Sequence, residues 1–130
     1  MEINETLKRL LVQLQPSRLR IATREISVHL RRSNRQRITQ QKNAAGEKYT
    51  ARKDSQNKAK MLQGFKPHLL SKNTSNTATV GIFGRAAKLA AIHNNGQIES
   101  GIEYAERQLV GISADDVKAI EGILIKHINA

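Results

Sequence analysis

The chain contains no cysteine and no tryptophan, and only two tyrosines and two phenylalanines among its 130 residues. Without thiols there is no disulfide framework, no thiolate metal site and no cysteine nucleophile. With so few rings, any core must be aliphatic and small. No long apolar run is present, so no segment is suited to crossing a bilayer, and no membrane partner is expected. The opening Met1-Glu2-Ile3-Asn4-Glu5 has neither the basic region nor the apolar stretch of a secretory signal, so a cytosolic address is expected. A chain of this length suits one domain that buries about two-thirds of its unfolded surface.

Catalytic patterns are also missing. His29, His68, His93 and His127 stand singly, without metal-ligand spacing, and read as structural. Glu99, Glu103 and Glu106 fall in a polar connector and read as solvated, while Asp115 and Asp116 suit a helix start. The phrase Gly81-Ile-Phe-Gly84-Arg85 lacks the Gly-Lys-Ser/Thr of a phosphate loop and the third glycine of a dinucleotide fingerprint, so it reads as a tight turn. No enzyme, catalytic residue, metal or cofactor is expected.

Positive charge is what the chain has in abundance. Twenty-two Lys and Arg against eleven Asp and Glu leave +11. Residues 1–60 hold 15 basic and 5 acidic groups; residues 61–130 hold 7 and 6. Such an imbalance calls for an anionic partner or an acidic protein surface, and is silent about fold.

Helical spacing of Leu7, Leu10, Leu11 and Leu14 predicts a first helix over 2–14, broken at Pro16, with Ser17 able to cap the next. Over 18–41, Leu19, Ala22, Ile26, Leu30, Ser33 and Arg37 occupy a stripe about 80° wide. Arg20, Arg24, Arg31 and Arg35 fall within about 60° of one another on the opposite side. This basic face can meet an acidic protein surface, contact nucleic acid, or remain solvated. Turn residues 43–46 end the helix, and 47–60 has almost no aliphatic residue, which predicts a basic mobile arm at about 43–60, ordered by a partner. Residues 68–71 and 77–83 read as two strands around a polar turn. Residues 85–93 are Ala-rich and compatible with a helix that stops at Asn94-Asn95-Gly96. Residues 102–109 read as a third strand. Ser113 opens a last helix that buries Val117, Ile120, Leu124 and Ile128. The expected fold is α+β: two N-terminal helices, a small antiparallel sheet and a C-terminal helix.

Three phrases then occur in order: Gly46-x-x-Tyr49-x-x-Arg52-Lys53, His93-x-x-Gly96 and Tyr104-x-x-Arg107-x-Leu109-x-Gly111. With Lys60-Met61-Leu62 between the first two, the series resembles the phage virion morphogenesis family, the tail-completion proteins of contractile-tailed temperate phages. The likeness runs over nearly the whole chain. It implies a single structural domain over 1–130 that finishes the tail at its head-proximal end and enables head-tail joining. The implied working form is a homo-oligomeric ring, most plainly a hexamer, assembled in the bacterial host cytoplasm and retained in the tail or neck of the virion. Implied partners are the tail tube or terminator and the neck or connector proteins, with DNA secondary. The resemblance marks Gly46, Tyr49, Arg52, Lys53, Met61, His93, Gly96, Tyr104, Arg107 and Gly111 as partner or oligomer contacts. In that reading Gly46 permits the turn and Tyr49 anchors the arm by its ring. Arg52 and Lys53 pair with acidic neighbours, His93 and Gly96 close a helix, and Arg107 pins the last strand beside Tyr104. The alternative is a nucleic-acid-binding protein that uses Arg20, Arg24, Arg31 and Arg35.

Overall fold

The computed structural model describes residues 5–53, 56–57 and 59–129. Helix α1 (Glu5–Leu11) buries Leu7, and Leu10, Leu11 and Leu14 pack around the same core. Pro16 opens α2 (Pro16–Gln40), where its missing N–H costs nothing because first-turn donors have no helical partner. Gln15 holds the cap position in an extended conformation without a side-chain bond, so Ser17 lies inside the first turn and is not the cap.

Helix α2 has 25 residues and is therefore about 37 Å long. It carries two cores. Ala22, Ile26 and Leu30 meet Leu7 and the C-terminal helix residues Ile120 and Leu124. Farther along, Ile38 meets Leu69, Ala90 and Leu109. Val80 packs against both clusters.

The helix ends on Gln41, whose φ of 58° is left-handed and strained for a side chain with a Cβ. The side-chain amide offsets that cost: Nε2 donates to the Ile38 carbonyl at 2.7 Å and the Met61 carbonyl at 2.8 Å, and Oε1 accepts from the Met61 N–H at 2.7 Å. A glycine would relax the backbone but lose this pairing.

Strands β1 (Leu69–Asn73) and β2 (Ala78–Ile82) form an antiparallel hairpin, with Leu69 opposite Ile82 and Ser71 opposite Val80. A lone two-stranded ribbon is marginal in water, so this one depends on packing against α2. The Thr23 hydroxyl of α2 also holds its turn by donating to the Thr74 carbonyl at 3.0 Å. Helix α3 (Ala87–Asn95) is capped by left-handed Gly96. This is the Ala-rich stretch expected to be helical up to Asn94-Asn95-Gly96. The third strand expected over 102–109 is reduced to β4 (Ile102–Glu103), which pairs with β3 (Ile98–Glu99) in a second, minimal hairpin. Beyond Tyr104 the chain leaves that ladder, because its polar groups are claimed by His93 and Asn94 of α3 and by Tyr49 of the segment after α2.

Helix α4 (Ala114–Ile128) starts at a reciprocal capping box between Ser113 and Asp116, as the sequence implies. Ile120 and Leu124 are buried, while Asp116 and His127 take buried positions that apolar spacing assigns to the half-buried Val117 and Ile128. The fold is α+β: helices and a small antiparallel sheet, closed by the C-terminal helix.

Candidate assembly surfaces

The three sequence phrases converge on one junction. Tyr49 is buried, and its hydroxyl donates to the Gln108 carbonyl at 2.6 Å. Burial pushes the phenol up to about 12, against the pull of the Arg37 charge, so it remains a donor throughout the neutral range. Gln108 returns a bond from the other side, its Oε1 accepting from the Ala44 N–H at 2.6 Å. Arg107 clamps the same segment, with Nε donating to the Thr50 carbonyl at 2.9 Å and Nη2 to the Ala51 carbonyl at 3.3 Å. Its own N–H donates to the His93 carbonyl at 2.8 Å. The His93 ring packs edge-on between Tyr104 and Phe65, at centroid distances of 5.2 and 5.9 Å. Burial, with the Arg107 charge second, holds this imidazole below its ordinary range, so it is neutral at pH 7.

Two glycines allow the close approach. A Cβ on Gly96 would sit 2.9 Å from the Glu106 nitrogen, and its φ of 65° is left-handed. A Cβ on Gly111 would strike the Gln108 amide at 2.6 Å.

The expected contact residues therefore divide. Tyr49, His93, Gly96, Tyr104, Arg107 and Gly111 bind the chain to itself. Met61 is tied to Gln41 through its backbone. Arg52 is half-buried and donates to the Ala59 carbonyl at 3.4 Å. Gly46 and Lys53 are exposed. The arm expected at 43–60 to be free of its own domain is, over 43–52, bonded to it. Its polar composition hid this, because the partners are the Gln108 carbonyl and amide and the Arg107 guanidinium, far along the chain. Residues 54, 55 and 58 of that arm lie outside the described residues.

Beneath the junction lies a polar hub that apolar periodicity passes over. Asn34 is 1% exposed in the middle of α2. Its Oδ1 accepts from the Gly111 N–H and from Arg37 Nη2, each at 2.8 Å, and its Nδ2 donates to the Leu30 carbonyl at 2.7 Å. Arg37 also donates to the Gly111 carbonyl at 2.6 Å and to Asp116 Oδ2 at 2.9 Å. His29 Nε2 lies 2.9 Å from Asp116 Oδ1. Burial pushes the Asp116 carboxyl up, but hydrogen bonds from the Ser113 backbone and from Ser33 and Arg37, with the Arg37 charge, hold it at about 2. A buried polar residue within a helical stripe was the available sequence signal.

The arginine face of α2 is partly spent. Arg35 turns inward, donating to the Lys66 carbonyl at 3.1 Å and the Leu69 carbonyl at 2.9 Å, so it braces β1 and leaves the row expected to face a partner. Arg20, Arg24 and Arg31 remain, joined by Arg32, and none has a side-chain partner among the described residues. Exposed Ile21 and Val28 stand among them. With Ala119 and Ile123 of α4 they line a groove of about 600 Å³, walled by Arg24 and Arg32. Glu25 also lines it, bonded to Lys126 at 2.6 Å. That hydrogen bond is the main cause lowering the Glu25 carboxyl below its usual range.

Among the described residues no group of His, Asp and Glu is placed to hold a metal ion, and no helix is long and apolar enough to cross a membrane.

Residues 1–129 match the model of the Phage virion morphogenesis family. The chain is also 26% identical over 137 residues to the tail completion protein S of Escherichia phage P2, a match covering 92% of this chain and 90% of that protein. No solved structure matches the chain.

Proposed function

Because the chain belongs to the phage virion morphogenesis family, we propose that it completes a phage tail at its head-proximal end and makes that end competent to join a filled head. The observation that carries this reading is the match over 1–129, which leaves no part of the domain outside the family pattern. The similarity to a tail completion protein points the same way. The work is surface complementarity without a catalytic step. The working form is a closed ring, a hexamer, resident in the tail or neck of the virion after assembly in the host cytoplasm. Its partners are further copies of itself, the tail tube or terminator, and the neck or connector proteins.

The positive N-terminal half docks on acidic faces of those tail and neck proteins. Charge steers such docking and fades with salt. A protein partner also accounts for Ile21 and Val28, exposed between the arginines. Apolar side chains fit a protein groove better than a phosphate backbone, which rewards charge alone. DNA contact is thus secondary.

The test is deletion of the coding sequence from the phage or prophage, followed by electron microscopy of the lysate. Separate heads and tails should accumulate, and adding the purified chain should restore joined particles. A normal infectious yield without the chain would overturn the reading. So would tight DNA binding near physiological salt by a chain that ignores isolated tails.

A further inference from the structure

The β3–β4 hairpin exposes two isoleucines with acidic surroundings. Ile98 is 71% exposed and Ile102 is 56% exposed. The two residues between the strands, Ser100 and Gly101, both have positive φ, at 52° and 77°, which matches a type I′ turn and the twist of the strands. Ile98 lies opposite Glu103 and Glu99 opposite Ile102, so each face of the ribbon carries one isoleucine beside one carboxylate. Glu99 has Lys88 within 3.9 Å, while Glu103 and Glu106 have no cationic partner among the described residues. The base of the hairpin is fixed. The Tyr104 N–H donates to the Gln97 carbonyl at 3.2 Å, and Gly96 closes against Glu106. The ribbon is therefore presented ready-made, and binding does not have to order it.

The groove between α2 and α4 has the opposite character. Its apolar lining is Ile21, Val28, Ala119 and Ile123, its unpaired charges are Arg24 and Arg32, and its one carboxylate, Glu25, is already paired with Lys126. The two features lie toward different ends of α2. The groove spans residues 21–32 beside the Ala22–Leu30 core, and the hairpin hangs from α3, which packs with Ile38. A surface and its complement at different places on one chain make a heterologous contact, which repeats around an axis.

We infer that the Ile98–Ile102 hairpin of one copy seats in the α2–α4 groove of the next, with Glu103 and Glu106 against Arg24 and Arg32. This interface rests on the ring reading above and supplies its contact. It neutralises part of the arginine face and leaves Arg20 and Arg31 for other anionic surfaces. The occupant is a second copy because the chain itself carries both the exposed isoleucines and the unpaired carboxylates that the groove calls for.

Two single variants at exposed positions test this in the full-length protein. Ile98→Lys places a cation on the hairpin, and Val28→Glu places a carboxylate in the groove. Circular dichroism should show both folded as the parent chain is. Each alone should weaken self-association by roughly 100-fold or more, read by light scattering and sedimentation over a concentration series. An equimolar mixture should form a one-to-one dimer and stop there. The intact hairpin of the Val28→Glu chain fills the intact groove of the Ile98→Lys chain, and the other two surfaces are blocked.

Variants that assemble like the parent chain, or a mixture that stays monomeric, would overturn this interface and leave a ring built by other contacts. An acidic segment of a neck protein as the true occupant would appear as loss of neck binding in Val28→Glu with self-assembly intact, which also overturns it. A parent chain that stays monomeric at every concentration yet restores head-tail joining would overturn the interface and the ring while leaving tail completion standing. Failure to restore joining at all would remove the underlying reading as well.

Discussion

Asp116 shows how one side chain couples a cap, an ion pair and the meeting of two helices. Its folded value of about 2 lies below the ordinary 3.8, so the folded state binds its proton later than the unfolded chain does. The resulting stabilisation is present above about pH 4 and is lost as pH falls toward 2. The interval corresponds to about 2 kcal/mol. Urea midpoints measured between pH 5 and 2 should show this slope, and Asp116→Asn should flatten it. At neutral pH the same variant should be less stable by about 2 kcal/mol, because the half-buried Arg37 then loses its counter-charge. Tyr49 allows a second comparison. Tyr49→Phe keeps the packed ring and strands the Gln108 carbonyl, costing about 1–2 kcal/mol. Tyr49→Ala should cost about 3–5 kcal/mol. If Tyr49 served chiefly as an outward contact, both variants would instead unfold at the parent's midpoint while failing to complete tails.

At the scale of the element, Gln41 sets the end of α2. Its left-handed φ favours glycine, whereas its side chain bonds at both Ile38 and Met61. The expected order of stability is Gln41, then Gln41→Gly, then Gln41→Ala, since alanine loses the bonds and keeps the strain. The alanine variant should lose about 2 kcal/mol, measured from denaturant midpoints. Elements of this kind differ in how far the sequence discloses them. Helix α2 is readable because 25 residues repeat the helical period many times. The β1–β2 hairpin is readable because two apolar runs flank a polar turn, and α4 because Ser113 and Asp116 spell its cap. The β3–β4 hairpin is not, since two residues per strand leave no period to detect. Its signal is the turn pair Ser100-Gly101 between two copies of Ile-Glu. The bonding of 43–52 to the domain is likewise invisible locally, because the partners of Tyr49 and Thr50 lie 59 and 57 residues away.

For the whole molecule, charge separates into an arginine-rich helix and an acidic second hairpin, and the sequence totals foreshadow only the first. Counting by halves gives the second half a net of +1 and hides the grouping of Glu99, Glu103 and Glu106 there. The family phrases are legible in the sequence as a series, while their physical work is not: most of them bond the domain to itself. If opposite charges align the copies, self-association should weaken steeply between low salt and physiological salt. Sedimentation at several ionic strengths reads this directly, and an association indifferent to salt would speak against the charge pairing.

The rod formed by α2 also acts as a gauge. It runs about 37 Å past both hydrophobic clusters, and a helix hardly stretches. The spacing of the two clusters is then written into a single helix, and a residue inserted between Leu30 and Ile38 would turn one cluster by about 100° against the other.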